Sequence, residues 1–124
     1  MESHPSLRSV LVVDDDASLR RAILDYAEAT GTPAWEATNG LEALWIVKHQ
    51  RPDLVLLDLR MPRLDGFETI RHLRKFDPSL RIVIVTGDRS EETRQRVTGL
   101  GLGMLLKPFR ISDLDRVFTG KGLP

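Results

Sequence analysis

No cysteine occurs in the 124 residues, which removes disulfides, thiolate zinc sites and cysteine nucleophiles together. Net charge is missing too. The 18 basic and 18 acidic side chains cancel, so no global field draws the chain to nucleic acid or to an anionic membrane, although a local patch is not excluded. No apolar run approaches the ~20 residues of a membrane span, and the opening MESHPSLRS has no signal-peptide core. Internal repeats, low-complexity stretches and interdomain linkers are absent as well. These absences set the expectation of a cytoplasmic protein without a membrane partner. What is present is ordinary for a folded chain: 41% hydrophobic and 29% charged residues. The length suits one domain over 1–124, large enough to bury a core without metal or disulfide support.

The chain is organised around Pro52 to Glu68, PDLVLLDLRMPRLDGFE. Leu54 to Leu57 form an unbroken apolar run, the pattern of a strand buried on both faces, and Asp58 follows at once. In open α/β sheets ligands gather beyond the carboxyl ends of the strands, so an acid at that point is a functional candidate.

In chain order, Val10-Leu11-Val12-Val13 is a second apolar run that ends in acid, here Asp14, Asp15 and Asp16. Leu19, Ala22, Ile23, Tyr26 and Ala27 then give the stripe of an amphipathic helix, with Asp16 or Ser18 as cap and Gly31 as stop. A short strand is expected over Pro33 to Ala37. A helix from Asn39-Gly40 to about His49 follows, stopped before Pro52. Gly66 to Phe76 reads as a third helix with Phe67, Ile70 and Leu73 inward, and Ile82 to Val85 as a strand that delivers Thr86. Ser90 to Leu100 reads as a helix capped by Ser90, with a thin apolar face of Val97 and Leu100, hence weakly held. Met104 to Leu106 is a last strand ending in Lys107-Pro108, and Ile111 to Phe118 a final short helix. Five βα units in succession predict a doubly wound parallel sheet, a (βα)5 flavodoxin-like α/β fold with strand order 2-1-3-4-5.

That order brings Asp14, Asp15, Asp58, Thr86 and Lys107 to one crevice. Each alone has a plain explanation: the triple acid as cap and loop charge, Thr86 as a turn residue, Lys107 as a solvated cation. Together they are harder to explain so. Clustered carboxylates repel, and a divalent cation with oxygen ligands relieves the repulsion, Mg²⁺ being favoured because it combines one or two carboxylates with phosphate oxygens. The lysine and the threonine hydroxyl suit the oxygens of a phosphoryl group on Asp58, a known type of phosphoryl-accepting nucleophile. His4, His49 and His72 share no spacing that points to a site. Trp35 and Trp45 read as packing residues.

Taken in order, VLVVDDD, NGLEAL, PDLVLLDLRMPRLDG, IVIVTG and KPF resemble the receiver domain of bacterial two-component response regulators, including the stand-alone chemotaxis type, over nearly the whole chain. The resemblance implies a phosphoaspartate at Asp58 and Mg²⁺ bound by Asp15, Asp58 and the backbone carbonyl of Arg60, with Asp14 assisting. It implies phosphoryl contacts from Thr86 and Lys107, and a cis peptide at Lys107-Pro108. The donor would be a phosphohistidine on a sensor histidine kinase or phosphotransfer protein. The chain would catalyse only its own phosphorylation and dephosphorylation, without binding nucleic acid directly. Output would pass to a downstream protein, or to a C-terminal effector if the chain is part of a longer one. Arg60 and Asp88 are expected to tune the phosphoryl lifetime. Position 104, commonly Tyr or Phe in that family, is Met here, so the switch is expected to lie in the helix after Thr86 more than in residue 104. A second resemblance competes: Val13-Asp14-Asp15-Asp16-Ala17-Ser18 also looks like the nucleophile motif of haloacid-dehalogenase-type phosphatases, which would make Asp14 the nucleophile. That reading leaves Asp58 idle and finds no later strand-ending acid.

Overall fold

The computed structural model describes residues 8–61 and 64–120. His4, Pro62 and Arg63 of the central loop, and residues 121–124 lie outside the described residues. The expected alternation is present: β1 (Val10–Val13), α1 (Ala17–Ala29), β2 (Ala34–Ala37), α2 (Gly40–Gln50) and β3 (Leu54–Asp58). A short antiparallel pair, β4 (Arg60–Met61) and β5 (Leu64–Asp65), lies between Asp58 and the next helix. Then come α3 (Gly66–Phe76), β6 (Arg81–Thr86), α4 (Glu91–Gly99), β7 (Gly103–Leu106) and α5 (Ile111–Thr119).

The five long strands form one parallel sheet in the order β2-β1-β3-β6-β7, which is the expected order once the short pair is counted. Alternation along each strand divides the core in two. Leu11, Val13, Val55, Leu57, Ile82 and Ile84 pack with Ala43, Val47, Ile70, Leu73 and Val97 of α2, α3 and α4. Val10, Val12, Leu54, Leu56, Val83 and Val85 pack on the opposite face with Ile23, Ala27, Leu114, Val117 and Phe118 of α1 and α5. Helices on both faces explain why the strands are continuous apolar runs.

The helix ends follow the cap residues. Asp16 opens α1, accepting from the amides of Ser18 and Leu19, while Asn39 accepts from Glu42 and Ser90 from Thr93. Gly66 has a packing reason: a Cβ there would stand 2.8 Å from Leu59 Cδ2 and 3.0 Å from its Cα, so α3 can start close under the loop only with glycine. Two inward assignments are corrected. Ala22 is exposed, because it sits at the edge of the α1 stripe, on the rim of a cavity with Leu19, Pro108 and Phe109. Leu100 is 46% exposed, because α4 ends at Gly99 and the apolar contact passes to Leu102 beyond the turn. Val97 is left as the one buried side chain of α4.

Candidate functional site at the carboxyl ends of the strands

Parallel register builds the site. Val13 lies opposite Leu57, so Asp14 emerges beside Asp58; Asp58 pairs with Val85 and Thr86 with Leu106, so Thr86 and Lys107 close the other side. The Lys107 amide donates to the Thr86 carbonyl at 2.8 Å, tying the last two strand ends together. The peptide between Lys107 and Pro108 is cis.

Asp14 is 1% exposed, Asp58 5% and Thr86 0%. Buried carboxylates need partners, and both have them. Lys107 Nζ lies 3.1 Å from Asp14 Oδ2 and 3.3 Å from Asp58 Oδ2. Asp14 Oδ1 accepts from the Asp16 amide at 2.9 Å, and Asp58 Oδ1 from the Arg60 amide at 3.0 Å. Burial pushes the Asp14 carboxyl above its ordinary value and repulsion from Asp58 adds to this, while the Asp16 amide and Lys107 hold it back. For Lys107, burial acts downward, but Asp14 and Asp58 outweigh it and leave the ammonium above its ordinary value.

Asp15 is exposed, yet its carboxylate joins those of Asp14 and Asp58 in a group whose oxygens lie within 4.8 Å of one another. Three acids against one lysine leave an excess of negative charge, and the donors are hard oxygens. That set fits Mg²⁺ and does not fit a soft metal.

Around this centre lie contacts that no motif announced. Arg20 donates from Nη1 to the Asp14 carbonyl at 2.8 Å and from Nε to Glu36 at 2.7 Å, fixing the turn after β1 to the end of β2. Asp88 is a junction: its amide donates to Thr86 Oγ1 at 3.1 Å, and its carboxylate accepts from the Ser90 amide (2.9 Å) and the Thr93 hydroxyl (2.7 Å). Arg60 Nη2 reaches the same carboxylate at 3.0 Å. Thr93, Ser90 and Arg60 together hold Asp88 well below the usual carboxylate range. The loop after β3 and the start of α4 are thereby joined through one acid. Met104 is half-buried against the α2, α3 and α4 side of the core. Trp45 is exposed and stacked on His49, with ring centroids 4.1 Å apart.

The phosphatase alternative gains nothing from this geometry. Asp16 of that motif is spent on capping α1, and Asp58, for which that reading has no role, shares Lys107 with Asp14 at the centre of the site.

The family model for the response regulator receiver domain matches residues 10–119. Sporulation initiation phosphotransferase F of Bacillus subtilis (strain 168) is 36% identical over 106 residues, covering 85% of this chain and 86% of that protein. Response regulator MprA of Mycobacterium sp. (strain KMS) is 39% identical over 108 residues, which cover 85% of this chain but 46% of MprA. The chain thus spans less than half the length of that relative. Among solved structures, a CheY-like response regulator receiver domain protein from Methanospirillum hungatei JF-1 superposes with a TM-score of 0.84 at 26% identity, over 94% of each chain. The chemotaxis protein CheY4 of Vibrio cholerae superposes with a TM-score of 0.80 at 30% identity, over 90% of this chain and 99% of that one. Fold, strand-end acids and sequence agree: the chain belongs to the response regulator receiver domain family, whose members are phosphoacceptors of two-component signalling.

Proposed function

We propose that residues 1–124 act as a single receiver domain that holds its signal as an acyl phosphate on Asp58. The observation that supports this most is the Lys107 ammonium between Asp14 and Asp58, 3.1 and 3.3 Å from their oxygens. Thr86 stands at the adjoining strand end. Phosphoryl transfer asks a protein for positioning and charge neutralisation more than for covalent chemistry. A carboxylate oxygen of Asp58 attacks the phosphorus of a phosphohistidine on a sensor kinase or phosphotransfer protein. The P–N bond breaks, its electron pair stays on the imidazole, and that ring takes up a proton. Lys107 and the Thr86 hydroxyl then bind phosphoryl oxygens. Discharge is a separate hydrolysis: water attacks the phosphorus, its proton passes to solvent, the P–O bond to Asp58 breaks to give back the carboxylate, and inorganic phosphate departs.

Asp14, Asp15, Asp58 and the backbone carbonyl of Arg60 would hold Mg²⁺, which when bound neutralises charge on the carboxylates and the phosphoryl oxygens. The chain catalyses only its own charging and discharging. It works in the cytoplasm, and its output is a downstream protein or an attached effector. Because Thr86 is hydrogen-bonded to the amide of Asp88, drawing its hydroxyl toward a phosphoryl group moves the start of α4. Met104, unbranched and adaptable, fills space in either state and biases neither strongly.

Intact mass after incubation with acetyl phosphate and Mg²⁺ tests the reading. One added phosphoryl group is expected, and none in Asp58→Asn. A phosphate that maps to Asp14 would overturn it.

A further inference from the structure

A cavity of about 640 Å³ lies between α3 and α4, outside the strand-end site. Its apolar lining comes from Phe67, Ile70 and Leu100, and Leu100 is among the most exposed large apolar side chains of the described residues. Its walls carry four cations, Arg71, Arg74, Lys75 and Arg96, against two acids, Glu68 and Asp65, the latter engaged in capping α3. Arg71 is paired with Glu68, but among the described residues Arg74, Lys75 and Arg96 have no carboxylate within salt-bridge distance. Arg96 reaches from α4 across the groove and lies over the Phe67 ring, 3.8 Å from its centroid. The Nε of Arg74 is a buried donor with no hydrogen-bond partner, a condition that native structures rarely leave unexplained. Arg74 also borders a smaller cavity of about 180 Å³ beside Arg81, another cation without a carboxylate neighbour among the described residues.

We propose that the α3–α4 groove is a docking site for an acidic amphipathic helix of a partner protein. An apolar strip flanked by unpaired cations is the complement of a helix with apolar residues at i, i+3, i+4 and i+7 and glutamates beside them. From Phe67 to Lys75 the groove wall is about 12 Å long at 1.5 Å per residue, which seats roughly two turns of such a helix. The apolar floor disfavours a nucleic-acid backbone, which wants cations and stacking rings without an aliphatic strip. One wall is α4, whose start is hydrogen-bonded through Asp88 to Thr86. On the reading of Asp58 given above, docking is therefore state-dependent.

The test uses a fluorescein-labelled helical peptide of fifteen residues with leucine at i, i+3, i+4 and i+7 and glutamate on the flanks, together with its lysine counterpart. The probes are titrated into the isotopically labelled full chain. The glutamate peptide is expected to bind roughly tenfold or more tightly than the lysine peptide, with NMR shifts centred on α3 and α4. Arg96→Glu and Lys75→Glu are each expected to weaken it about tenfold while leaving phosphoryl uptake unchanged. Equal affinity for the two peptides, shifts centred elsewhere, no binding, or tighter binding of an oligothymidylate at the same residues would overturn the proposal. Affinity is also expected to change at least about threefold with a beryllofluoride mimic. An unchanged value in a chain that accepts phosphate on Asp58 overturns the coupling. Failure to accept phosphate overturns the Asp58 reading instead, and the two peptide arms still decide the docking site.

Discussion

Lys107 is the cation that lets two buried carboxylates stand side by side. Replacing it with Met leaves Asp14 and Asp58 facing each other without relief, so Lys107→Met is expected to lower the unfolding free energy of the metal-free chain by roughly 1–3 kcal/mol in urea titrations. Adding Asp14→Asn to that variant should restore part of the loss, since the repulsion then falls. Arg60, whose amide donates to Asp58, is tied by its side chain to Asp88 at 3.0 Å. Arg60→Asn is expected to shorten the phosphoryl lifetime, followed as phosphate release over time, because a bulky cation beside the acyl phosphate is gone. Tyr26, the sole tyrosine, offers a clean pH readout. Burial first, and then the hydrogen bond to Asp115, push its hydroxyl up to about 12. A folded value above the unfolded one favours the protonated form. The stabilisation is thus complete below the unfolded value of 10.0 and is lost as pH rises toward about 12. Absorbance of tyrosinate should show a midpoint near about 12 in the native chain, and Tyr26→Phe should flatten the fall in melting temperature between those limits.

Among the elements, α4 is the one held least firmly by its own sequence. Its nine residues bury only Val97, whereas α3 buries Gly66, Thr69, Ile70 and Leu73. Its start depends on polar contacts with Asp88 and Ser90. Asp88→Ala removes the acceptor for Thr93, Ser90 and Arg60 together, and amide exchange over 91–99 is expected to accelerate while α1 and α3 keep their protection. Much of this was legible beforehand. The thin face of the helix, its Ser90 cap, the strands VLVV, LVLL and IVIV, and the strand-end placement of Asp14, Asp58 and Thr86 all follow from period and punctuation. The exposure of Ala22 and Leu100 was not, because a helical stripe has edges that only the neighbouring element defines. Nor were the Arg20 clamp and the Asp88 junction, since long side chains crossing between loops leave no periodic trace. The cis peptide at Lys107-Pro108 came from family resemblance rather than from any local signal.

At the scale of the molecule, the same parity that makes strands unreadable as amphipathic makes them a septum. Odd-numbered β1 residues face α2, α3 and α4; even-numbered ones face α1 and α5. No apolar side chain belongs to both clusters among the described residues, so the two flanks communicate through strand backbone and through the polar residues at the strand ends. Ile70→Val on one flank and Ile23→Val on the other are each expected to cost about 0.5–1.5 kcal/mol. Their costs should add within about 0.5 kcal/mol in a double-mutant unfolding cycle. The flanks are in this sense separately editable. Substitutions that retune what one of them recognises leave the packing of the other as it was, and the strand-end site is the shared terminal that both must answer to.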